Sequence, residues 1–449
     1  MIGSPVSLPL RDGVELSGLL WTPNGPGPFP ALLMRQPYGA RIASTVVYAH
    51  PSWYAQQGYL VLVLDVRGRG DSGGEFSGFA SEATDGDDAL AWLKAHPLCN
   101  GRVGSYGFSY QGLTQLLGTD TNLQPDALAP AMCGLDERLH WASEGGAHWW
   151  VLSLSWGLQL AAESCRRRGD QHAWQAIKDC LAGAQQSRHG LALLKQHDSN
   201  NPVLQWLQND PSQAAEWACH QPNPERLRRP MQLLEGWCDP YLRGGLDLWQ
   251  QALKCGGSPE LIIGPWSHLS WDRRVGSCDM GPEACGRVDQ WQLAFFDQHL
   301  RGQSRPEQPS CWAYDLLSHH WKRRDPRLSP DLQWGLSSHG LAASCSDEGE
   351  LKAQQSGHGQ LVWVHDPWRA VPGRGGHLGL DAGLCDRADL DGRADVACFT
   401  TAALQQPLEL WGQFELLLSI RSDQHSFDLC GAISVLRAGQ SQVLQLCPG

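Results

Sequence analysis

Hydrophobic residues in the first third of the chain fall in short continuous runs. Ala31 to Arg35 and Tyr59 to Val66 (Tyr-Leu-Val-Leu-Val-Leu-Asp-Val) are of the kind buried on both faces of a parallel sheet. A helical period follows from Ala83 to Ala95, with Leu90 and Leu93 on the core face. Asp85, Asp87 and Asp88 sit near its start, where the helix dipole favours negative charge, and Pro97 stops it. The run Val103 to Tyr106 leads into a second helix pattern, Gln111 to Gly118, carrying Leu113, Leu116 and Leu117. Strand-like runs recur at Ala127 to Met132, Met231 to Glu235 and Leu261 to Gly264. This alternation predicts a doubly wound α/β domain.

Two stretches break the rhythm. From about Leu135 to Arg229 the strand signals give way to Trp-, Leu-, Ala- and Gln-rich helical segments, such as Val151 to Ala162 and Trp174 to Ala184. An insertion between two strands of one sheet would sit as a cap over the strand ends, where ligands bind. After Leu300 the chain turns Pro-, Gly- and Ser-rich, with β-like runs. The clearest is Phe414 to Arg421, where Phe414, Leu416, Leu418 and Ile420 alternate with mostly polar positions. The expected division is therefore a core from 1 to 134 and 230 to 303, a helical cap from 135 to 229, and a β domain from 304 to 449.

Composition narrows the classes. At 449 residues the chain has room for two or three domains. Its 42% hydrophobic and 18% charged residues are ordinary for a globular enzyme. A formal net charge of −12 argues against nucleic acid and anionic membrane surfaces as partners. No apolar run approaches the ~20 residues of a transmembrane helix. Met1 to Asp12 lacks the features of a signal peptide, so the expected location is cytoplasmic. The 15 cysteines are odd in number and irregular in spacing, without Cys-x-x-Cys, and read as reduced, mostly buried thiols. Cys219-His220 and the Cys278/Cys285 pair lack a second ligand pair at zinc-site spacing.

The chemistry concentrates at Gly107-Phe108-Ser109-Tyr110-Gln111-Gly112. A serine flanked by glycines where a strand becomes a helix reads as a nucleophile elbow, although the second glycine falls one place later than usual, with Gln111 in its stead. A serine hydroxyl needs a base, and the base needs an orienting group. In acid-then-histidine order the chain supplies both, each just beyond a strand-like run. Asp239 follows Gly236-Trp237-Cys238, and His268 follows Gly264-Pro265-Trp266-Ser267. The alternative for these residues is a glycine-rich turn with an incidental serine, and one of 17 histidines falling after a strand by chance.

These segments resemble the triad motifs of the cocaine-esterase-like hydrolases of the X-prolyl dipeptidyl-peptidase superfamily. Arg35-Gln36-Pro37-Tyr38 is similar to that family's Arg-x-Pro-Tyr, and Asp65-Val66-Arg67-Gly68 to its Asp-x-Arg-Gly. The resemblance runs from about residue 5 to the C-terminus and is weakest in the insertion and from 325 to 375. It implies an α/β-hydrolase core, a helical cap and a C-terminal jelly roll. It also implies an oxyanion hole made by the phenol of Tyr38 and the backbone N–H of Tyr110, with no metal or organic cofactor. Two departures stand out. Tyr241 and Leu242 occupy the positions where some relatives acting on α-amino esters carry an acidic pair. After Asp395 only about four strand-like runs remain, which would leave the jelly roll incomplete.

Other motifs carry less. Gly68-Arg69-Gly70-Asp71-Ser72-Gly73 matches a dinucleotide fingerprint, but the helix that should open inside it begins only near Ala83. Arg69-Gly70-Asp71 as an adhesion tripeptide has no export signal to support it. Of the 21 tryptophans, Trp141, Trp149, Trp150 and Trp156 cluster in the insertion. Trp149 and Trp156 would share a helix face and are candidates for lining an acyl or leaving-group pocket, against the alternative of packing cap on core. The sequence thus points to a serine hydrolase for carboxylic esters, acting through an acyl-enzyme on a small-molecule ester or peptide-like substrate. An X-prolyl or other acyl amide is the second reading. A catalytically silent α/β-hydrolase scaffold and an NAD oxidoreductase are the rivals from other classes.

Overall fold

Ten strands share one sheet in the computed structural model, which describes residues 2–41, 47–306, 310–325, 332–378, 381–437 and 439–448. They are β1 (Ser4–Pro9), β2 (Glu15–Trp21), β3 (Phe29–Gln36), β4 (Leu60–Asp65), β5 (Cys99–Phe108), β6 (Ala127–Ala131), β7 (Gln232–Cys238), β8 (Glu260–Ser267), β9 (Cys311–Asp315) and β10 (His320–Arg323). Their spatial order is β1-β2-β4-β3-β5-β6-β7-β8-β9-β10. Every pair from β4 through β9 is parallel, while β1, β2 and β10 join antiparallel.

The continuous apolar runs are explained by helices on both faces. Along β3 and β4, Leu32, Met34, Val61 and Val63 enter one core with Tyr54 of α1 (Pro51–Gln56) and Phe295, Phe296 and Leu300 of α9 (Val288–Arg301). The intervening Ala31, Leu33, Leu60, Leu62 and Leu64 enter the other, with Ala89, Leu90 and Leu93 of α2 (Glu82–Ala95). Two-sided burial leaves no polar face for alternation to reveal. Helix α3 (Tyr110–Leu116) follows β5, and α8 (Leu242–Lys254) follows β7.

Between β6 and β7 lie α4 (Trp150–Arg168), α5 (Gln171–Ala182), α6 (Leu191–His197) and α7 (Pro202–Gln208). They close on a core of their own around Leu158, Ala161, Cys165, Ile177, Leu194 and Leu204. Helix α4 continues past Ala162 to Arg168 and ends at Gly169, which takes the left-handed conformation (φ 77°) that suits a helix C-terminus.

Two expectations need correction. The first compact unit, 1–273 with 281–323, extends 20 residues beyond the expected boundary after 303, up to Arg323. The reason is strand pairing: β9 adds in parallel to β8, and β10 folds back on β9 as a hairpin. The second unit, 274–280 with 324–449, contains two three-stranded sheets. One joins β11 (Trp334–Ser337), β12 (Glu350–Ala353) and β14 (Thr400–Thr401); the other joins β13 (Cys385–Asp386), β16 (Val443–Pro448) and β15 (Ala432–Leu436). The alternating run Phe414 to Arg421 is not a strand. Phe414, Leu416, Leu418 and Ile420 are exposed, and no described strand pairs with them. A period of two gives a strand only where a neighbouring backbone meets its N–H and C=O groups.

Candidate active site

Ser109 stands at the junction of β5 and α3 with φ 59° and ψ −129°. A non-glycine residue rarely adopts such a conformation, at a cost of about 1–3 kcal/mol. The Ser109 N–H is held by Ala131 O at 2.9 Å, so the turn is pinned to the end of β6. Its glycines are small for specific reasons. A Cβ on Gly107 (φ 141°) would lie 2.5 Å from Gln111 Cβ, and one on Gly112 would lie 2.7 Å from Cys133 Cβ and 3.0 Å from Ala131 O. Gly112, one place later than the usual motif, is therefore where α3 packs against the end of β6 and Cys133.

The other two expected residues arrive at the same edge. His268, just past β8, places Nε2 3.0 Å from Ser109 Oγ and Nδ1 2.6 Å from Asp239 Oδ2. Asp239, just past β7, is buried, and its Oδ1 accepts the Tyr241 N–H at 2.7 Å. The carboxylate is thus fixed by an Asx turn on one side and by the imidazole on the other. With Nδ1–H donated to Asp239, Nε2 is left as the acceptor facing the serine hydroxyl.

Tyr38 lies on the turn after β3, its N–H donated to Gln36 Oε1 at 3.1 Å. Its hydroxyl oxygen accepts the indole N–H of Trp156, on α4, at 3.2 Å. Burial raises the phenol's pKa, while the Trp156 N–H and the charge of Arg69 pull it back. Tyr110 contributes differently. Its phenol is buried, bonded to Gly78 O (2.8 Å) and Glu82 Oε1 (2.9 Å), so only its backbone N–H can serve the site. That N–H opens α3, and the first N–H groups of a helix have no acceptor within it.

Phe108 and Tyr241 flank the histidine, Phe108 at 5.4 Å between ring centres. Tyr241 meets His268 edge-on at 5.0 Å and Trp141 at 4.5 Å. Trp156 packs on Trp206 at 5.3 Å and lies 6.5 Å from the Tyr110 ring. Of the two candidate pocket tryptophans, Trp156 touches Tyr38 directly. Trp149 is not on the helix but caps it, is buried, and reaches the site through Tyr241 at 6.2 Å. Tyr241, marked by the sequence only as standing where some relatives carry an acid, packs on the imidazole, a contact that sequence reasoning missed. Its signal was its place two residues after the acid, where an Asx turn returns the chain over the imidazole.

Residues 12–270 match the model of the X-Pro dipeptidyl-peptidase (S15) family, and 319–445 match the X-Pro dipeptidyl-peptidase C-terminal non-catalytic domain. The chain belongs to the S15 family. Its relatives include cocaine esterase of Rhodococcus sp., 27% identical over 479 aligned positions that cover all of this chain and 82% of that one. Among solved structures, an α-amino acid ester hydrolase aligns at TM-score 0.63 and 22% identity, over 92% of this chain and 74% of the other. An aminopeptidase from a Thaumarchaeota archaeon aligns at TM-score 0.53 and 19% identity, over 78% of this chain and 62% of that one. These likenesses bear out the α/β-hydrolase fold, and members of the family are serine esterases and hydrolases.

The two further motifs of this S15 chain brace the site. Arg35 pairs with Glu82 of α2 at 2.6 Å and also donates to Thr114 O of α3, tying β3 to both helices. Arg67 bonds Asp85 at 2.8 Å and Asp12 at 2.7 Å. Asp65 accepts from Gln36 Nε2 (3.2 Å) and from the Asp71 N–H (3.3 Å), and burial pushes its carboxyl up to about 6. This carboxylate fills the glycine loop, since a Cβ on Gly70 would sit 2.0 Å from Asp65 Oδ2. The helix after this loop opens only at Glu82, nine residues beyond Gly73, so the loop lacks the helix N-terminus that a dinucleotide fingerprint needs. No helix among the described residues is long and apolar enough to cross a membrane.

Proposed function

We propose that this chain hydrolyses carboxylic esters by way of an acyl-enzyme on Ser109. The observation that carries the reading is the continuous series Ser109 Oγ, His268 Nε2, His268 Nδ1 and Asp239 Oδ2, with separations of 3.0 and 2.6 Å. Ser109 attacks the carbonyl carbon while His268 takes its proton, and Asp239 stabilises the imidazolium that results. The Tyr38 hydroxyl and the Tyr110 N–H donate to the oxyanion, charge that exists only in the tetrahedral intermediate. His268 then gives the proton to the departing alcohol. A water molecule, activated by the same histidine, releases the acid from Ser109.

Esters are favoured over X-prolyl amides by Tyr241, which packs on the histidine, and by its neighbours. Tyr241 and Leu242 stand where an acidic pair would hold a substrate ammonium, and the rings of Tyr241, Trp141 and Trp156 supply apolar walls. The Rhodococcus relative, named for an esterase activity, supports the same choice. A panel of p-nitrophenyl esters and Xaa-Pro p-nitroanilides, with Ser109→Ala as control, tests the reading. Ester turnover lost in that variant supports it. Turnover of anilides alone favours the peptidase reading, and no turnover with no covalent labelling favours a silent scaffold.

A further inference from the structure

Arg69 is a buried cation that the proposed chemistry does not use. It is 2% exposed, and among the described residues its hydrogen bonds go to neutral groups. Nε donates to Pro37 O at 3.1 Å, while Nη1 donates to Leu160 O at 3.0 Å and to Ser164 Oγ at 3.4 Å. Its guanidinium also lies over the Phe76 ring at 5.0 Å. The carboxylate whose charge acts on it most, that of Glu163, is bonded to Arg166. Burying a guanidinium without an ion-pair partner is unfavourable, so a space-filling role would be met better by an apolar side chain.

The two carbonyls it bridges are informative. Pro37 immediately precedes Tyr38 on the turn after β3. Leu160 lies one helical turn beyond Trp156 on α4, and Trp156 donates to the Tyr38 hydroxyl. One guanidinium therefore clamps both supports of that phenol, its own backbone turn and the helix carrying its hydrogen-bond donor. We propose that Arg69 is a positioning residue for the oxyanion hole, setting the Tyr38 hydroxyl against the insertion and lending it a buried positive charge. The charge opposes the rise that burial imposes on the Tyr38 phenol, which makes its proton a better donor to an oxyanion. This inference rests on the oxyanion-hole role of Tyr38.

The test is a double-mutant cycle of Arg69→Met with Tyr38→Phe, with rates normalised to active sites titrated by a fluorophosphonate. Arg69→Met is expected to lower kcat by about 10- to 100-fold, the scale of a misplaced catalytic group, with KM within about threefold. In the Tyr38→Phe background the same substitution is expected to change kcat by less than about threefold, because the two act as one unit. Arg69→Lys keeps the charge but not the planar fork and falls between, and it carries the same cycle should Arg69→Met not fold. Equal losses in both backgrounds, or a loss confined to KM, overturn the Arg69 proposal alone. Wild-type kcat in Tyr38→Phe by itself overturns the oxyanion-hole reading and this inference with it.

Discussion

The indole N–H of Trp156 is donated to the hydroxyl oxygen of Tyr38 across 3.2 Å, joining the helical insertion to the turn after β3. A phenol that accepts through its oxygen keeps its own proton free to donate. The insertion thus orients a proposed catalytic hydroxyl as well as lying near it.

Tyr38→Phe should therefore lower kcat by on the order of 10²–10³ with little change in KM, since the donor meets charge that exists only in the transition state. Trp156→Phe removes the orienting bond but not the donor, and should lower kcat by about tenfold. Steady-state kinetics on one ester separates the two effects.

Ser109→Ala and His268→Ala should each abolish turnover while the circular dichroism spectrum and thermal transition stay in place. Asp239→Asn should reduce kcat by on the order of 10⁴, because an amide cannot hold the imidazole in the required tautomer. Relief of backbone strain plays no part in these losses, since Ser109→Ala keeps a side chain at the same φ and ψ.

Tyr241 lies edge-on to His268 and against Trp141, which makes it the proposed wall beside the proposed base. Tyr241→Ala should depress kcat/KM for a benzoyl ester about 10- to 200-fold more than for an acetyl ester of the same alcohol, the range for lost pocket contacts. Parallel kinetics on the two esters check this.

Glu235, on β7, should make the protein less stable as pH rises. It is fully buried, and among the described residues neither carboxyl oxygen has a hydrogen-bond partner; the adjacent Met132 N–H is committed to Leu234 O at 2.9 Å. Burial first, and the charge of Asp239 second, push its pKa well above the ordinary 4.5. The unfolded chain ionises above that value while the folded chain stays protonated. Stability is therefore fully present below about 4.5 and is lost progressively as pH rises towards the folded pKa. Glu235→Leu removes the group, so its melting temperature should exceed that of the wild type at pH 8 by more than at pH 5. A gap that is constant or shrinks with rising pH would show that the carboxyl is ionised in the fold.

Much of the core, and the meeting of Ser109, His268 and Asp239, was legible in the sequence because both leave strong local signals. Strands buried on two faces read as unbroken apolar runs, and the elbow, acid and base each sit a few residues past one. The glycine displaced to Gly112 looked like a weakness of the motif, yet it marks the crossing over Cys133. The extent of the sheet was not legible. Residues 311–323 resemble the β-rich tail in composition, and only pairing with β8 assigns them to the core. The run Phe414 to Arg421 shows the converse, since its alternation was clear but strand formation depends on a neighbour that no local pattern encodes. The contributions of Tyr241, Arg69 and Glu235 depend on contacts across the chain, from Pro37 to Leu160 and from Asp239 to His268, that spacing alone does not reveal.

The most direct test of the central claim is intact-mass and peptide mass spectrometry after reaction with a fluorophosphonate. One adduct per chain, on the peptide carrying Ser109, absent in Ser109→Ala and strongly slowed in His268→Ala, is the predicted result. An unmodified chain, an adduct on another residue, or equal labelling of Ser109→Ala would contradict a Ser109 acyl-enzyme.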